Sequence, residues 1–256
     1  MFIRFLPIFR YFMRLTTVCV SATIKALNTV PVHLRRIIRS VHQKEGTFMP
    51  HLLCLGDSIT DCGRLFSTDP LGNGYVKMLS SRLHDTGHNF SIENKGIDGF
   101  TLERLLSNID SWLNGSDPDV ITVLIGINDV GIMMNTRRSS AQQDALMEKF
   151  TIRYELLAKK LSGTESRKRK LFFMEPFVFP WPRYYASWLP LLSQMSGHIQ
   201  EISQDHGAVF IPLQNDLDRE SKHSGISAMT LDGIHLTPQG HQILAEKLYT
   251  SITSER

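Results

Sequence analysis

The segment Val120-Ile-Thr-Val-Leu-Ile125 constrains the fold of this chain more than any other feature. β-branched residues dominate it, and no charged residue interrupts it. This composition is typical of a central parallel strand that helices cover on both faces. Shorter apolar segments predict four more strands, at Leu52–Leu55, Phe90–Asn94, Leu171–Met174 and Ala208–Ile211.

Helical patterns occupy the intervals between these strands. Apolar residues at helical spacing predict helices at Tyr75–His84, from Thr101 to the break at Asp117, at Ser139–Leu161, at Leu191–His206 and at His241–Thr253. The basic stretch Arg167–Lys170 is predicted to be a solvated loop. Because these spacings are too wide for hairpins, the strands must be joined by right-handed crossovers. The sequence therefore predicts an α/β fold around a five-stranded parallel sheet.

Polar residues and glycines follow four of the predicted strands. They are Ser58, Gly96–Gly99, Asn128 and Glu175-Pro176. In a parallel sheet the carboxyl ends of the strands lie along one edge, which is where open α/β sheets bind their ligands. We therefore expect these groups to converge, and Ser58 becomes a candidate nucleophile.

A serine hydroxyl needs a base, and His235 is the best candidate among the ten histidines. Asp232 precedes it by three residues, a spacing that places both side chains on one side of a turn. An acid in that position orients the imidazole and stabilises its protonated form. The alternative is that Asp232-Gly233 forms only a turn and that Asp232 caps a helix.

Acyl transfer also requires donors for a developing oxyanion. The candidates are the Ser58 backbone N–H, the Gly99 backbone N–H and the Asn128 side-chain amide. Glycine permits the close backbone approach that such a role needs. Each candidate has a structural alternative, because Gly99 suits a turn and Asn128-Asp129 suits a cap of the segment that follows.

Four sequence blocks together resemble a known family. Gly56-Asp57-Ser58-Ile59-Thr60, Asn94-x-Gly-x-x-Gly99, Gly126-x-Asn128-Asp129 and Asp232-x-x-His235 look like the blocks of the SGNH hydrolases, or GDSL-type esterases and lipases. The resemblance spans residues 51 to about 250. It implies a flavodoxin-like three-layer α/β/α sandwich with a five-stranded parallel sheet, and no metal or organic cofactor.

The same resemblance implies a role for each site residue. Ser58 would be the nucleophile, His235 the base and Asp232 its orienting acid. The oxyanion hole would consist of Ser58 N–H, Gly99 N–H and Asn128. We choose Gly99 over Gly96 because Gly-Phe-Thr opens the next predicted helix.

The predicted function is a serine hydrolase that cleaves carboxylic esters through an acyl-enzyme. Short acyl esters or acetylated sugars are the expected small-molecule or carbohydrate substrates. The alternatives are lysophospholipase or thioesterase-type activity on longer acyl chains, and a non-catalytic binding module. No Gly-x-Gly-x-x-Gly or P-loop pattern follows a strand, which argues against nucleotide binding. The aromatic segment Phe177–Pro190 is predicted either to form a platform for an acyl group or sugar, or to pack over the sheet edge.

Residues 1–48 differ in composition from the rest of the chain. They carry eight Lys or Arg and one acid, Glu45, so 20 basic residues face 24 acidic ones from Met49 onward. We expect no nucleic-acid partner for that body. Residues 1–48 are interpreted as an extension outside the fold, with a signal peptide and a membrane-surface helix as alternatives.

The esterase domain is thus predicted to span residues 49–256. The three cysteines show no disulfide or metal-binding spacing, which fits a reducing compartment. The sequence therefore predicts a cytoplasmic location, unless residues 1–48 act as an anchor or an export signal.

Overall fold

The strand predicted at the centre of the sheet lies there in the computed structural model, which describes residues 49–134, 138–164 and 167–254. In chain order the strands are β1 (His51–Gly56), β2 (Ser91–Asn94), β3 (Val120–Leu124), β4 (Gly163–Thr164), β5 (Arg167–Lys168), β6 (Lys170–Met174) and β7 (Val209–Ile211). Five of them form one parallel sheet in the order β2-β1-β3-β6-β7. This confirms the predicted five-stranded parallel sheet.

Helices follow the strands. They are α1 (Ser58–Asp61), α2 (Tyr75–Asp85), α3 (Leu102–Ser116), α4 (Ile127–Met134), α5 (Ser140–Leu161), α6 (Leu189–Asp205), α7 (Gln214–Ser224), α8 (Ile226–Met229) and α9 (Pro238–Ser254). Two 3-10 helices lie at Arg64–Phe66 and Arg183–Trp188.

Successive residues of β1, Leu52 to Leu55, are all fully buried. Because successive side chains of a strand point to opposite faces, both faces of the sheet must be covered.

The direction of the crossovers assigns the helices to the two faces. The chain moves from β1 to β2 in one direction and then from β2 through β3 and β6 to β7 in the other. With right-handed connections, this reversal puts α2 on the opposite face from α3, α5 and α6. Helix α2 packs against α9, and α5 packs against α3 and α6. The fold is therefore a three-layer α/β/α sandwich, and its strand order reverses between β1 and β3.

The predicted loop at Arg167–Lys170 is wrong at Arg167, Lys168 and Lys170, which lie in strands, although Lys168 and Lys170 are exposed as expected. Gly163 and Thr164 pair antiparallel with Lys168 and Arg167, forming the two-stranded ribbon β4–β5. Gly163 has a φ of +82°, a left-handed conformation that commonly ends a helix and turns the chain aside. The ribbon follows because α5 stops there.

Residues 1–48 lie outside the described residues, so the proposed extension, signal and membrane-helix interpretations stay predictions. None of the helices within the described ranges is long and apolar enough to cross a membrane. The residues from Met49 onward group into one unit.

Candidate active site

Ser58 lies where β1 ends and the short helix α1 begins. Asp57, between them, accepts the Ile59 backbone N–H with its Oδ1 at 3.0 Å and so caps α1. Gly56 allows this sharp connection, because a Cβ atom there would lie 2.1 Å from Thr60 Oγ1 and 2.6 Å from the Leu124 carbonyl oxygen. Strand β1, helix α1 and strand β3 therefore approach one another without an intervening side chain.

The structure brings Ser58, His235 and Asp232 into one hydrogen-bonded chain. Ser58 Oγ lies 3.0 Å from His235 Nε2, and His235 Nδ1 lies 2.7 Å from Asp232 Oδ2. A carboxylate can only accept, so the proton of the neutral ring resides on Nδ1. Nε2 is then free to accept the Ser58 hydroxyl proton.

The loop that carries His235 is held by its own hydrogen bonds. Asp232 Oδ1 accepts the backbone N–H groups of Ile234 and His235 at 2.9 and 2.8 Å. Thr230 Oγ1 donates to the His235 carbonyl oxygen at 2.8 Å. The turn interpretation of Asp232 is thus correct alongside its contact with the ring, whereas α9 begins only at Pro238 and Asp232 does not cap it.

Hydrogen bonding also favours the ionised form of Asp232. Partial burial raises the pKa of this carboxyl, but the donors from the His235 ring and from the backbone outweigh it, so the pKa lies below its ordinary value. Asp232 therefore remains a carboxylate at neutral pH, as an acceptor from His235 Nδ1–H must.

The segment Lys95–Gly99, here called the oxyanion loop after the role expected for Gly99, runs beside the end of β1 that leads to Ser58. The N–H groups of Lys95 and Ile97 donate to the Cys54 and Gly56 carbonyl oxygens of β1 at 2.8 and 3.2 Å. Gly96 N–H donates to Asn94 Oδ1 at 2.8 Å. Within the described residues, the N–H groups of Gly99 and Ser58 have no acceptor. The geometry thus favours Gly99 over Gly96 as a donor to a bound group.

Asn128 lies in the first turn of α4, after the central strand. Its Nδ2 donates one hydrogen to the Phe100 carbonyl oxygen at 2.9 Å, which leaves the second hydrogen for another acceptor. Its neighbour Asp129 accepts the Leu102 N–H at 3.0 Å and therefore caps α3. The alternative that Asn128-Asp129 cap the following segment is therefore wrong, because both residues lie inside α4 and Asp129 binds the preceding helix α3. The Asn128 amide fixes the chain next to Gly99.

Two carboxyl groups near the site, the buried Asp57 and the half-buried Asp129, have pKa values that the sequence did not predict. Burial raises the pKa of Asp57 to about 7, although the Ile59 N–H opposes the shift and Asp129 adds to it. Burial likewise raises the pKa of Asp129 to about 7. The only sign of these raised pKa values in the sequence is that each acid follows shortly after a buried strand.

His241 makes buried hydrogen bonds that sequence patterns did not predict. Its Nδ1 accepts the Tyr75 backbone N–H at 3.2 Å, so Nε2 carries the proton and donates to Cys62 Sγ at 3.3 Å. Burial lowers the pKa of this imidazole to about 4, and the nearby His235 adds to that shift. His241 thus joins α9 to the residue that follows α1.

The aromatic segment divides into two parts. Phe177, Val178 and Phe179 are fully buried, and the Phe179 N–H donates to the Gly233 carbonyl oxygen at 2.8 Å. Trp181 and Tyr184, by contrast, are 47% and 51% exposed. The first part therefore packs over the sheet edge, and the second leaves these two rings on the surface. The second part reaches the loop of Asp232 through the Trp181 carbonyl oxygen and the Tyr185 ring, which lie against Gly233.

Glu175, the last of the residues predicted at the strand ends, makes hydrogen bonds that hold the fold together. Its Oε2 accepts the N–H groups of Leu213 and Gln214 at 2.6 and 2.9 Å, and its Oε1 accepts from Ser196 at 2.7 Å. Glu175 therefore joins β6 to α6 and α7. Among the described residues, no three His, Cys, Asp or Glu side chains group so that they could hold a metal ion. The expectation of no cofactor stays a prediction.

Comparison with known proteins assigns the chain to a family. Residues 54–243 match the GDSL-like lipase/acylhydrolase family. An acetylxylan esterase of Geobacillus stearothermophilus is 28% identical over 212 residues, which cover 80% of this chain and 94% of that protein.

Solved structures agree in fold. LAE5, an alpha/beta hydrolase enzyme from the metagenome of Lake Arreo, Spain, superposes with a TM-score of 0.68 at 22% identity, covering 81% of this chain and 97% of that one. Axe2, an acetylxylan esterase from Geobacillus stearothermophilus, superposes with a TM-score of 0.67 at 23% identity, covering 79% and 94%. With the family match covering most of the described fold, the chain belongs to the GDSL-like lipase/acylhydrolase family and is a carboxylic ester hydrolase.

Proposed function

We propose that this chain hydrolyses esters of short acyl groups, acetylated sugars foremost among them, through an acyl-enzyme on Ser58. The observation that carries the proposal is the hydrogen-bonded chain from Ser58 Oγ through the His235 ring to Asp232. A hydroxyl with a base at hydrogen-bond distance, and an acid that orients the base, is the arrangement that activates a serine.

In the acylation half-reaction, His235 Nε2 takes the Ser58 proton while Oγ forms a bond to the ester carbonyl carbon. The carbonyl π electrons move to the oxygen, whose negative charge is met by Ser58 N–H, Gly99 N–H and the second Nδ2 hydrogen of Asn128. When the tetrahedral intermediate collapses, the ester C–O bond breaks. The leaving alcohol receives the proton that His235 held.

Deacylation repeats these steps with water. His235 Nε2 takes a proton from the water as its oxygen attacks the acyl carbon. Collapse of the second intermediate releases the carboxylic acid, and His235 returns the proton to Ser58 Oγ. Asp232 stays ionised throughout and stabilises the imidazolium in both halves.

The openness of the site supports a small acyl group on a large alcohol. The side chains of His235 and Asp232 are 45% and 51% exposed, so a bulky leaving group can approach them from solvent. The segment that packs against Gly233 of the same loop carries the exposed rings of Trp181 and Tyr184, which offer flat faces of the kind that pack against sugar rings. The relative named acetylxylan esterase supports the same class of substrate.

A substrate comparison tests this proposal. We expect kcat/KM to fall from p-nitrophenyl acetate to butyrate to octanoate, and we expect acetate release from acetylated xylan oligosaccharides. A series that rises toward octanoate, with lysophospholipid cleaved faster than acetylated sugar, would instead support the longer-chain alternative. Loss of all these activities in Ser58→Ala serves as the control for contaminating esterases.

We also propose that residues 49–256 suffice for hydrolysis. Strand β1 begins at His51, and every residue of the proposed site follows it. A chain that starts at Met49 should therefore match the kcat of the full chain. Membrane fractionation of both chains tests the anchor interpretation of residues 1–48, and equal partitioning would remove it.

A further inference from the structure

Arg64 connects the turn that follows the nucleophile helix to the oxyanion loop. Its Nη2 donates to the Gly96 carbonyl oxygen at 2.6 Å. Its Nε lies 3.5 Å from Asp61 Oδ1, an ion pair with the last residue of α1. The Arg64 side chain is only 18% exposed, which limits screening of these contacts by water. One side chain thus contacts both elements that carry proposed oxyanion donors.

The backbone before Arg64 directs it toward this position. Cys62 and Gly63 have φ values of +41° and +77°, so two successive left-handed residues reverse the chain after α1. The Cys62 N–H donates to the Ser58 carbonyl oxygen at 2.9 Å, which ties this reversal to the nucleophile itself. The strained φ of Cys62 is the cost of turning Arg64 back over the oxyanion loop.

The contact surface between α1 and the oxyanion loop is otherwise bare backbone. A Cβ atom on Gly96 would lie 2.2 Å from the Asp61 nitrogen. On one side of this contact Asn94 Nδ2 donates to the Thr60 carbonyl oxygen at 2.7 Å. On the other side Arg64 holds the Gly96 carbonyl. Gly99 follows three residues later, with its N–H free among the described residues.

We propose that Arg64 is a positioning residue that fixes the Gly99 N–H relative to Ser58 by holding the Gly96 carbonyl oxygen. The inference rests on the proposed function, because it needs Gly99 as an oxyanion donor. A charged donor makes a shorter and stronger hydrogen bond than a neutral one, so the guanidinium resists displacement of the loop. Small displacements of an oxyanion donor reduce transition-state stabilisation more than substrate binding.

The test compares Arg64→Met with Arg64→Lys and with a matched control. Met keeps an unbranched stem but removes the charge and all donors, whereas Lys keeps one charged donor. Arg104→Met is the control, because Arg104 is an exposed arginine on α3. If Arg64→Met does not fold, Arg64→Gln takes its place with the same expectation.

We expect Arg64→Met to lower kcat for p-nitrophenyl acetate by roughly 10- to 100-fold with KM changed less than about twofold, since losing a donor outright costs about 100-fold or more. Arg64→Lys should recover part of that loss, and Arg104→Met should match the wild type. In an Asn128→Ala background the loss caused by Arg64→Met should shrink, because both residues act on one oxyanion site.

Three results would overturn the inference: a wild-type kcat in folded Arg64→Met, no recovery in Arg64→Lys, or losses that multiply fully with Asn128→Ala. Fluorophosphonate labelling separates this failure from failure of the proposed function. A wild-type protein labelled at Ser58, together with an unimpaired Arg64→Met, would refute only the role of Arg64. An unlabelled wild-type protein would refute the proposed function itself.

Discussion

Both carboxylate oxygens of Asp232 bind His235. Oδ2 lies 2.7 Å from Nδ1 of the ring, and Oδ1 accepts the backbone N–H of the same residue at 2.8 Å. One carboxylate thereby fixes the backbone, the ring orientation and the tautomer of the proposed base. The alternatives posed from sequence, a turn residue or an orienting acid, are two consequences of a single geometry.

Asp232→Asn should inactivate the protein while leaving it folded. The asparagine oxygen can still accept the backbone N–H groups, but its amide would face Nδ1 as a donor. The ring would then carry its proton on Nε2 and could not accept one from Ser58. We expect kcat for p-nitrophenyl acetate to fall on the order of 1,000-fold or more. Asp110→Asn, at an exposed ion pair with Lys160, is the matched control, and a loss below tenfold in Asp232→Asn would contradict the assigned role.

Asp57 should make folding stability depend on pH. Burial raises its pKa from 3.8 to about 7. Between about pH 4 and 7, therefore, the Asp57 carboxyl is protonated in the native state and ionised in the unfolded state. This contribution to the free energy of unfolding is full below about pH 4 and is lost as the pH rises to about 7. Asp57→Asn should therefore lessen the fall in stability across that range.

The pH dependence of stability must be compared between wild type and Asp57→Asn, because His241 changes stability with pH in the opposite direction. Its lowered pKa, about 4, adds stability as the pH rises from about 4 to 6.5. Urea unfolding at pH 5 and pH 7.5 gives the difference for wild type and for Asp57→Asn, and the His241 contribution cancels. An identical pH dependence in the two proteins would show that Asp57 is not buried in its protonated form.

Gly96 and Gly99 should respond differently to alanine. A Cβ on Gly96 would lie 2.2 Å from the Asp61 nitrogen and 2.6 Å from the Thr60 carbonyl carbon, so α1 or the oxyanion loop must shift. A Cβ on Gly99 meets nothing within 4 Å and costs only the strain of a φ of +70°, about 1–2 kcal/mol. The melting temperature of Gly96→Ala should thus be well below that of Gly99→Ala. The reverse order would contradict the packing of α1 against the oxyanion loop.

Tyr184 should affect large substrates only. Its ring is 51% exposed and contacts Tyr185, whose own ring packs against Gly233 in the loop of Asp232. We expect a sugar chain attached to the acetyl group to extend over this surface. Tyr184→Ala should raise KM for acetylated xylan oligosaccharides by about threefold or more, the loss expected for one aromatic contact. KM for p-nitrophenyl acetate, which carries no sugar chain, is the internal control. Equal changes for both substrates would assign Tyr184 a structural role instead.

The sheet, the convergence of the groups at its strand ends and the pairing of Asp232 with His235 could be predicted because they follow from local patterns. That His235 meets Ser58, 177 residues away, was expected only from the family resemblance. Val120–Leu124 is recognisable from its composition, and parallel strands place their carboxyl ends together whatever separates them in sequence. The spacing of Asp232 and His235 is itself local. These features needed no knowledge of how distant side chains pack.

The features that could not be predicted depend on long-range packing. Nothing in the sequence joins Cys62 to His241 or Arg64 to Gly96, because each pair meets only after the strands are ordered. Helix α7, Gln214–Ser224, is strongly polar and lacks a clear apolar stripe, with only Leu217 and Ser221 buried. Its start depends instead on Glu175, which accepts backbone N–H groups from a segment 38 residues away.

The most direct measurement of the central claim is the site of labelling by a fluorophosphonate probe, located by mass spectrometry of the full chain. An activated serine alone should form the covalent adduct, so the account predicts one labelled residue, Ser58, with loss of esterase activity in proportion to labelling. Ser58→Ala should neither label nor hydrolyse p-nitrophenyl acetate. An adduct on another residue, or undiminished hydrolysis by Ser58→Ala, would contradict the account.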